Sequence, residues 1–185
     1  MIEEALRFPF KQQDWFRKGV GGYLLAVASL LVIPAPLLLG YMVRVMREEQ
    51  MPGFKNLVQM FIDGLKALTI AISYLVPGIA VIAAFDSAVA ILGLPLFLIG
   101  FYSVESGFYE LANNGFKSAF SKQVLKNAFT LDYLVGQFAA ILVPLTIMII
   151  WAFSVLLILP ILFYPAMLFY TDVFRYRIMK EAIEA

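Results

Sequence analysis

Ionisable side chains are scarce in this chain, and the few that interrupt or bound its long apolar stretches are where chemistry would have to reside. Asp86 is the one charge within the stretch from Ala67 to Val104, Glu105 closes that stretch, and Arg44 closes an earlier one from Gly19 to Val43. A charge held among apolar neighbours at membrane depth is costly and is by default a functional hypothesis. Arg44 lies ten residues after Pro34, and Glu105 lies ten residues after Pro95. If the two stretches are equivalent units, these charges sit at equal depth, and the spacing predicts an intramembrane ion pair between Arg44 and Glu105. A paired charge is far cheaper than a lone one. The alternative is that each snorkels to the interface.

Asp86, with Ser87, reads as a helix cap in an exposed hairpin tip, because a side-chain oxygen there satisfies free N–H groups; the other reading is a polar site for an ion or proton. Glu105 and Glu110 are five apart, about 140° round a helix, so they do not form the carboxylate pair of an acid–base enzyme. Glu110, Asn113, Asn114, Asp172, Arg175 and Arg177 are expected to form a solvated rim. Asp63-Gly64 is expected to interrupt the backbone between an interfacial helix and a span starting near Leu65.

The rest of the inventory is negative. There is no cysteine and no histidine, which removes thiolate nucleophiles, most structural zinc sites and the commonest general base and metal ligand. We expect no catalytic, cofactor-binding or metal-binding residue, no cofactor, and no enzymatic activity. The net charge of +1 gives no electrostatic footprint for nucleic acid.

Three uncharged or nearly uncharged stretches must position these residues: 19–43, 67–104 and 133–171. The chain is 62% hydrophobic and 15% charged, against roughly 45–50% and 25% in soluble domains. Backbone polar groups cannot be satisfied by lipid, so apolar runs this long fold as membrane helices. The third stretch would make one helix of about 58 Å, twice the hydrocarbon thickness, and therefore predicts two spans; the second gives the same count. The first, preceded by Trp15-Phe16-Arg17-Lys18, is expected to be retained rather than cleaved as a signal peptide.

All fourteen Lys and Arg fall outside the stretches. Only an even number of crossings in each stretch keeps every basic residue on the cytoplasmic side. The expected fold is thus all-α and integral to the cytoplasmic membrane: about six transmembrane helices forming three cytoplasm-facing hairpins, both termini inside. It is one membrane domain over 1–185, with hairpin units of roughly 1–50, 51–112 and 113–185. The first hairpin is expected to be shallow or re-entrant, because Pro34 to Glu48 covers only about 22 Å.

Pro34, Pro95 and Pro160 stand near the starts of the three returning helices, where proline suits the first turn. Gly53-Phe54-Lys55 and Gly115-Phe116-Lys117 open the two connectors. These matches suggest a threefold internal repeat; prolines at hairpin spacing are the simpler account. Each connector reads as an amphipathic interfacial helix, with Lys117, Lys122 and Lys126 placed for lipid headgroups. Tyr23, Tyr41, Tyr74, Tyr102, Tyr133 and Tyr176 are expected as interfacial anchors. Gly19, Gly21 and Gly22 offer a close-packing surface.

Gly40-Tyr41-Met42-Val43-Arg44-Val45, Phe61-Ile62-Asp63-Gly64-Leu65-Lys66-Ala67 and the opening Ala5-Leu6-Arg7-Phe8-Pro9-Phe10 with Asp14-Trp15 resemble a prokaryotic membrane-protein family, prominent in archaea and known only as domain of unknown function 4013. The resemblance implies a membrane fold and location and no mechanism. The reading that accounts best for the missing chemistry is a non-catalytic accessory or scaffolding component, with the bilayer and other membrane subunits or further copies of itself as partners, and no nucleic acid. A small transporter or channel is the alternative, and a lipid-binding or membrane-shaping protein is a third.

Overall fold

The structure is a computed structural model and describes all residues except 1–2, 4–6, 11–13, 30–34, 49, 85–89, 155–158 and 185. Among the described residues there are seven α-helices and no strand: α1 (Trp15–Ser29), α2 (Ala35–Arg47), α3 (Leu57–Ala84), α4 (Ala90–Asn114), α5 (Lys122–Ala128), α6 (Leu131–Ser154) and α7 (Leu159–Glu184). Short 3-10 turns cover Phe8–Phe10 and Ser118–Phe120.

Close approaches at glycines give the helix directions. A Cβ on Gly78 would meet Phe97, one on Gly93 would meet Ile82, and one on Gly100 would lie 2.1 Å from the Tyr74 carbonyl oxygen. As the position rises along α4 its neighbour falls along α3, so the two are antiparallel. Gly40 and Gly64 set α2 against α3 in the same way: added Cβ atoms would lie 1.8 Å from the Met60 oxygen and 1.6 Å from the Pro36 oxygen. Gly136, near the start of α6, meets Ala182, near the end of α7. The α3/α4 and α6/α7 hairpins are therefore both present.

The first hairpin differs. α1 lies along α7, with Gly19 against Tyr170 and Gly22 against Phe169, while Gly21 meets Phe54. The glycine surface expected in the first helix is thus covered by its own chain. α2 is the shortest of the large helices, about 20 Å for its 13 residues, yet every residue from Gly40 to Met46 is buried. It is the hub onto which α1, α3, α4 and α7 pack.

Several local expectations are corrected. α3 runs unbroken from Leu57 to Ala84. Asp63-Gly64 is no interruption, because Gly64 is the point of contact with α2 and Asp63 is buried and partnered. The segment 50–56 is non-helical, so only the second connector carries a helix of its own, α5. Pro160 does fall in the first turn of α7, but Pro95 lies inside α4 and Pro77, Pro144 and Pro165 lie inside α3, α6 and α7. Interior prolines are commoner in membrane helices than in soluble ones. Pro34 and Asp86 lie outside the described residues.

Among the tyrosines expected as anchors, Tyr41, Tyr74 and Tyr133 are internal clasps. Tyr41 and Tyr133 are fully buried. The Tyr41 hydroxyl donates to the Pro52 carbonyl at 3.1 Å and that of Tyr74 to Ala119 at 2.8 Å, fastening the first connector to α2 and the second to α3.

Burial concentrates toward the charged ends of the helices. On α3 it involves Met60, Asp63, Gly64, Ala67 and Ile70, and beyond these only Gly78. The other halves carry their large apolar side chains outward, among them Ile72, Val76, Ile79 and Ile82 on α3 and Ile141, Leu142, Leu145 and Ile149 on α6. Among the described residues two helical segments are long and apolar enough to cross a membrane, Leu57–Ala84 and Leu131–Ile149. Only 17% and 28% of their most apolar windows are buried, whereas the apolar core helix of a soluble protein is mostly covered.

Candidate functional site

The charges lie where α1, α3 and α6 begin and α2, α4 and α7 end, and the antiparallel packing gathers these ends into one layer. Within it, most ionic and polar groups hold the chain to itself. Arg47 donates to the Ala112 carbonyl at 2.7 Å and lies 4.0 Å from Asp63, which Lys66 approaches at 3.7 Å and Gln59 at 2.9 Å. Lys18 donates to the Met51 carbonyl at 2.8 Å. The Arg177 guanidinium stacks over Phe8, 4.6 Å from the ring centre, donates to the Glu48 carbonyl and pairs with Glu181. The expected solvated rim is therefore corrected at Glu110 and Arg177, both 4% exposed because helix ends converge on them; Asn113 and Asn114 are exposed, and Asp172 and Arg175 half-buried.

The expected Arg44–Glu105 pair does not form. Arg44 donates to the carbonyls of Lys55 at 2.6 Å and Asn56 at 3.1 Å, tying down the turn that begins α3. That turn contains Asn56, whose φ of 53° is left-handed, an arrangement asparagine tolerates better than most residues. Equal depth along two helices does not make two side chains face each other, and Arg44 is directed at the first connector.

Glu105 pairs instead with Arg175 of α7 at 2.5 Å. It is 3% exposed and also accepts a hydrogen bond of 2.7 Å from the Gln137 amide. The same amide donates to the Tyr133 hydroxyl at 3.2 Å, and that hydroxyl donates to the Tyr102 carbonyl. Glu105 is thus held from α6 and α7 together. Charge, hydrogen bonding and burial act on one carboxylate, as a buried ion requires. Sequence reasoning placed Glu105 inside but read Tyr133 as an interfacial anchor and did not join Gln137 to it; their only signal was one helical turn of spacing at the start of an apolar helix.

Beside this cluster α4, α6 and α7 leave a groove of about 350 Å³. Phe101, Ala140, Ile141, Pro144, Leu145, Met148 and Leu168 make its apolar walls, and Gln137, Thr171, Asp172 and Arg175 its polar end. Glu105 sits behind Gln137 and Arg175 and is not among the groove's lining residues.

Lys117, Lys122 and Lys126 are all exposed. α5 buries Val124 and Ala128 and leaves Leu125 outward beside the lysines, with Phe120 and Phe129 outward on the residues flanking it. Ser106 of α4 donates to the Val124 carbonyl at 3.1 Å and holds the helix in place. Among the described residues no group of acidic, histidine or cysteine side chains is arranged to hold a metal ion.

The family model described as "Protein of unknown function (DUF4013)" matches residues 23–184. The chain belongs to the DUF4013 family. That match takes in every helix from α2 to α7, the second half of α1 from Tyr23 onward, and the whole Glu105 cluster. No curated protein and no solved structure matches the chain.

Proposed function

We propose that this DUF4013 protein is a six-span integral membrane protein of three hairpins, with both termini cytoplasmic. It acts as a non-catalytic accessory or scaffolding component that packs against other membrane subunits or copies of itself. The observation that supports this reading is the outward-facing apolar surface on the halves of α3, α4 and α6 remote from the charged layer. Ile79, Ile82, Ile91, Leu94, Leu145 and Ile149 on it are each at least 40% exposed. Such a surface needs lipid or another helix against it. The charged residues, by contrast, bind their own chain's helix ends and connectors, which is an architectural use. Glu105, which a transport role would place on a polar pathway, is enclosed behind its partners.

The absence of cysteine makes the topology directly testable with single cysteines and a membrane-impermeant thiol reagent. Lys122→Cys and Glu184→Cys react only from the cytoplasmic face, and Asp86→Cys only from the opposite face. Labelling of Lys122→Cys from outside would overturn the orientation. For the scaffolding role, native mass after gentle detergent extraction is decisive. Stoichiometric partner chains or a defined homo-oligomer support it, and a clean monomer sinks it.

A further inference from the structure

We infer that the groove between α4, α6 and α7 is a binding site for one membrane lipid with a primary-ammonium headgroup. The inference rests on the membrane reading above.

Its length suits a lipid chain. From Gln137 to Met148 the α6 wall extends about 16 Å, close to half of a hydrocarbon core about 30 Å thick, and the polar residues stand at the end nearest the charged layer. The groove volume of about 350 Å³ falls in the range of small-molecule sites, roughly 300–1,000 Å³.

The polar end selects the headgroup. Gln137 is 3% exposed; it gives its amide N–H donors to Glu105 and Tyr133, and its amide oxygen has no partner among the described residues. Asp172 accepts no hydrogen bond and closes no salt bridge among the described residues. Thr171 already donates its hydroxyl to the Leu168 carbonyl at 2.8 Å and has only acceptor capacity left. Three residues with free acceptor capacity therefore line the groove, one of them a carboxylate, and they fit an N–H-bearing cation. Arg175, one helical turn from Asp172, is placed for the phosphate of the same headgroup, its charge partly offset by Glu105 and by Asp172. Phosphoethanolamine carries both complementary groups; phosphocholine lacks the N–H donors, and phosphoglycerol lacks the cation.

The test is lipid retention by the full chain reconstituted in bilayers of mixed lipids with matched acyl chains, then read by native mass spectrometry. Wild type is expected to retain one phosphatidylethanolamine in about tenfold preference to phosphatidylcholine or phosphatidylglycerol, about the weight of one good polar contact. Asp172→Asn is expected to erase the preference. Ile141→Trp, at a groove-lining position that is 51% exposed and tolerant of bulk, is expected to reduce retention of every lipid. No headgroup preference in wild type, a preference surviving Asp172→Asn, or retention unchanged by Ile141→Trp would each overturn the site. Release of the wild-type chain from the bilayer by alkaline carbonate would instead defeat the membrane reading, so the two failures are distinguishable.

Discussion

Glu105 of α4 and Arg175 of α7 form a salt bridge of 2.5 Å that fastens the second hairpin to the third. Gln137 of α6 approaches the same carboxylate at 2.7 Å, so one buried acid is the meeting point of three helices. Burial makes this junction asymmetric. Removing the arginine leaves a charge where solvent cannot reach it, whereas neutralising the acid leaves an arginine whose side chain is 35% exposed and can rehydrate.

Arg175→Met should therefore destabilise by about 3 kcal/mol, the low end for breaking a buried pair, and Glu105→Gln by less. Arg175→Met combined with Glu105→Gln should recover most of the loss. Exchanging charges between Arg44 and Glu105 should recover nothing, because Arg44 is engaged with the Lys55 and Asn56 carbonyls. Thermal melting in detergent, followed by helical circular dichroism, measures all four variants. Recovery in the Arg44 exchange would refute the assignment.

The α2/α3 crossing makes a sterically sharper prediction. Gly40 and Gly64 face each other's backbone, and a methyl group at either would fall within 2 Å of a carbonyl oxygen, at 1.8 and 1.6 Å. The obstacle is backbone, so no side chain can turn aside. Gly40→Ala or Gly64→Ala should cost about 3 kcal/mol, the upper part of the overpacking range. Gly53→Ala, where an added Cβ meets nothing within 4 Å, should leave the melting temperature almost unchanged. Equal melting of all three would contradict the crossing.

What could be read from the sequence follows from the lengths of its apolar runs. Apolar run length fixes how much helix must exist, so the α3/α4 and α6/α7 hairpins and the amphipathic α5 were legible, as was Glu105 as an enclosed charge. Its partner was not. Depth can be counted along a chain, but the direction in which Arg44 points depends on how α2 is rotated, and that rotation is set by Gly40 against Gly64 far along the sequence. The same gap hid the true role of Asp63-Gly64, which looks like a helix breaker until a second helix is laid on it. Tyrosines near span boundaries look alike in sequence whether they meet headgroups or, like Tyr41 and Tyr133, a neighbouring carbonyl.

Tyr133→Phe isolates one of those clasps. The ring stays and keeps its packing, while the bonds to the Tyr102 carbonyl and from Gln137 are lost. A net intramolecular hydrogen bond contributes about 1 kcal/mol, and an orphaned buried partner raises the cost to about 2. The expected loss is about 1–2 kcal/mol, with helix content unchanged at room temperature. A Tyr133→Phe variant as stable as wild type would mean that the hydroxyl network around Glu105 contributes nothing.

The last prediction concerns α5. Its exposed Leu125, and Phe129 just after it, stand beside exposed Lys122 and Lys126, a combination that settles at the headgroup level of a bilayer. Each lysine near an anionic surface contributes about 1 kcal/mol of attraction, screened by salt over about 10 Å at 0.1 M. A spin label on Leu125→Cys, the only thiol in the chain, should report oxygen accessibility typical of the interface in anionic vesicles. Replacing Lys117, Lys122 and Lys126 together with glutamate should move the label toward water. Raising salt should produce the same shift in the wild-type background and a much smaller or opposite one in the triple variant, since the sign of the surface interaction has been reversed. A label equally water-exposed in every case would mean that α5 is held only by Ser106 and Tyr74 and makes no contact with lipid.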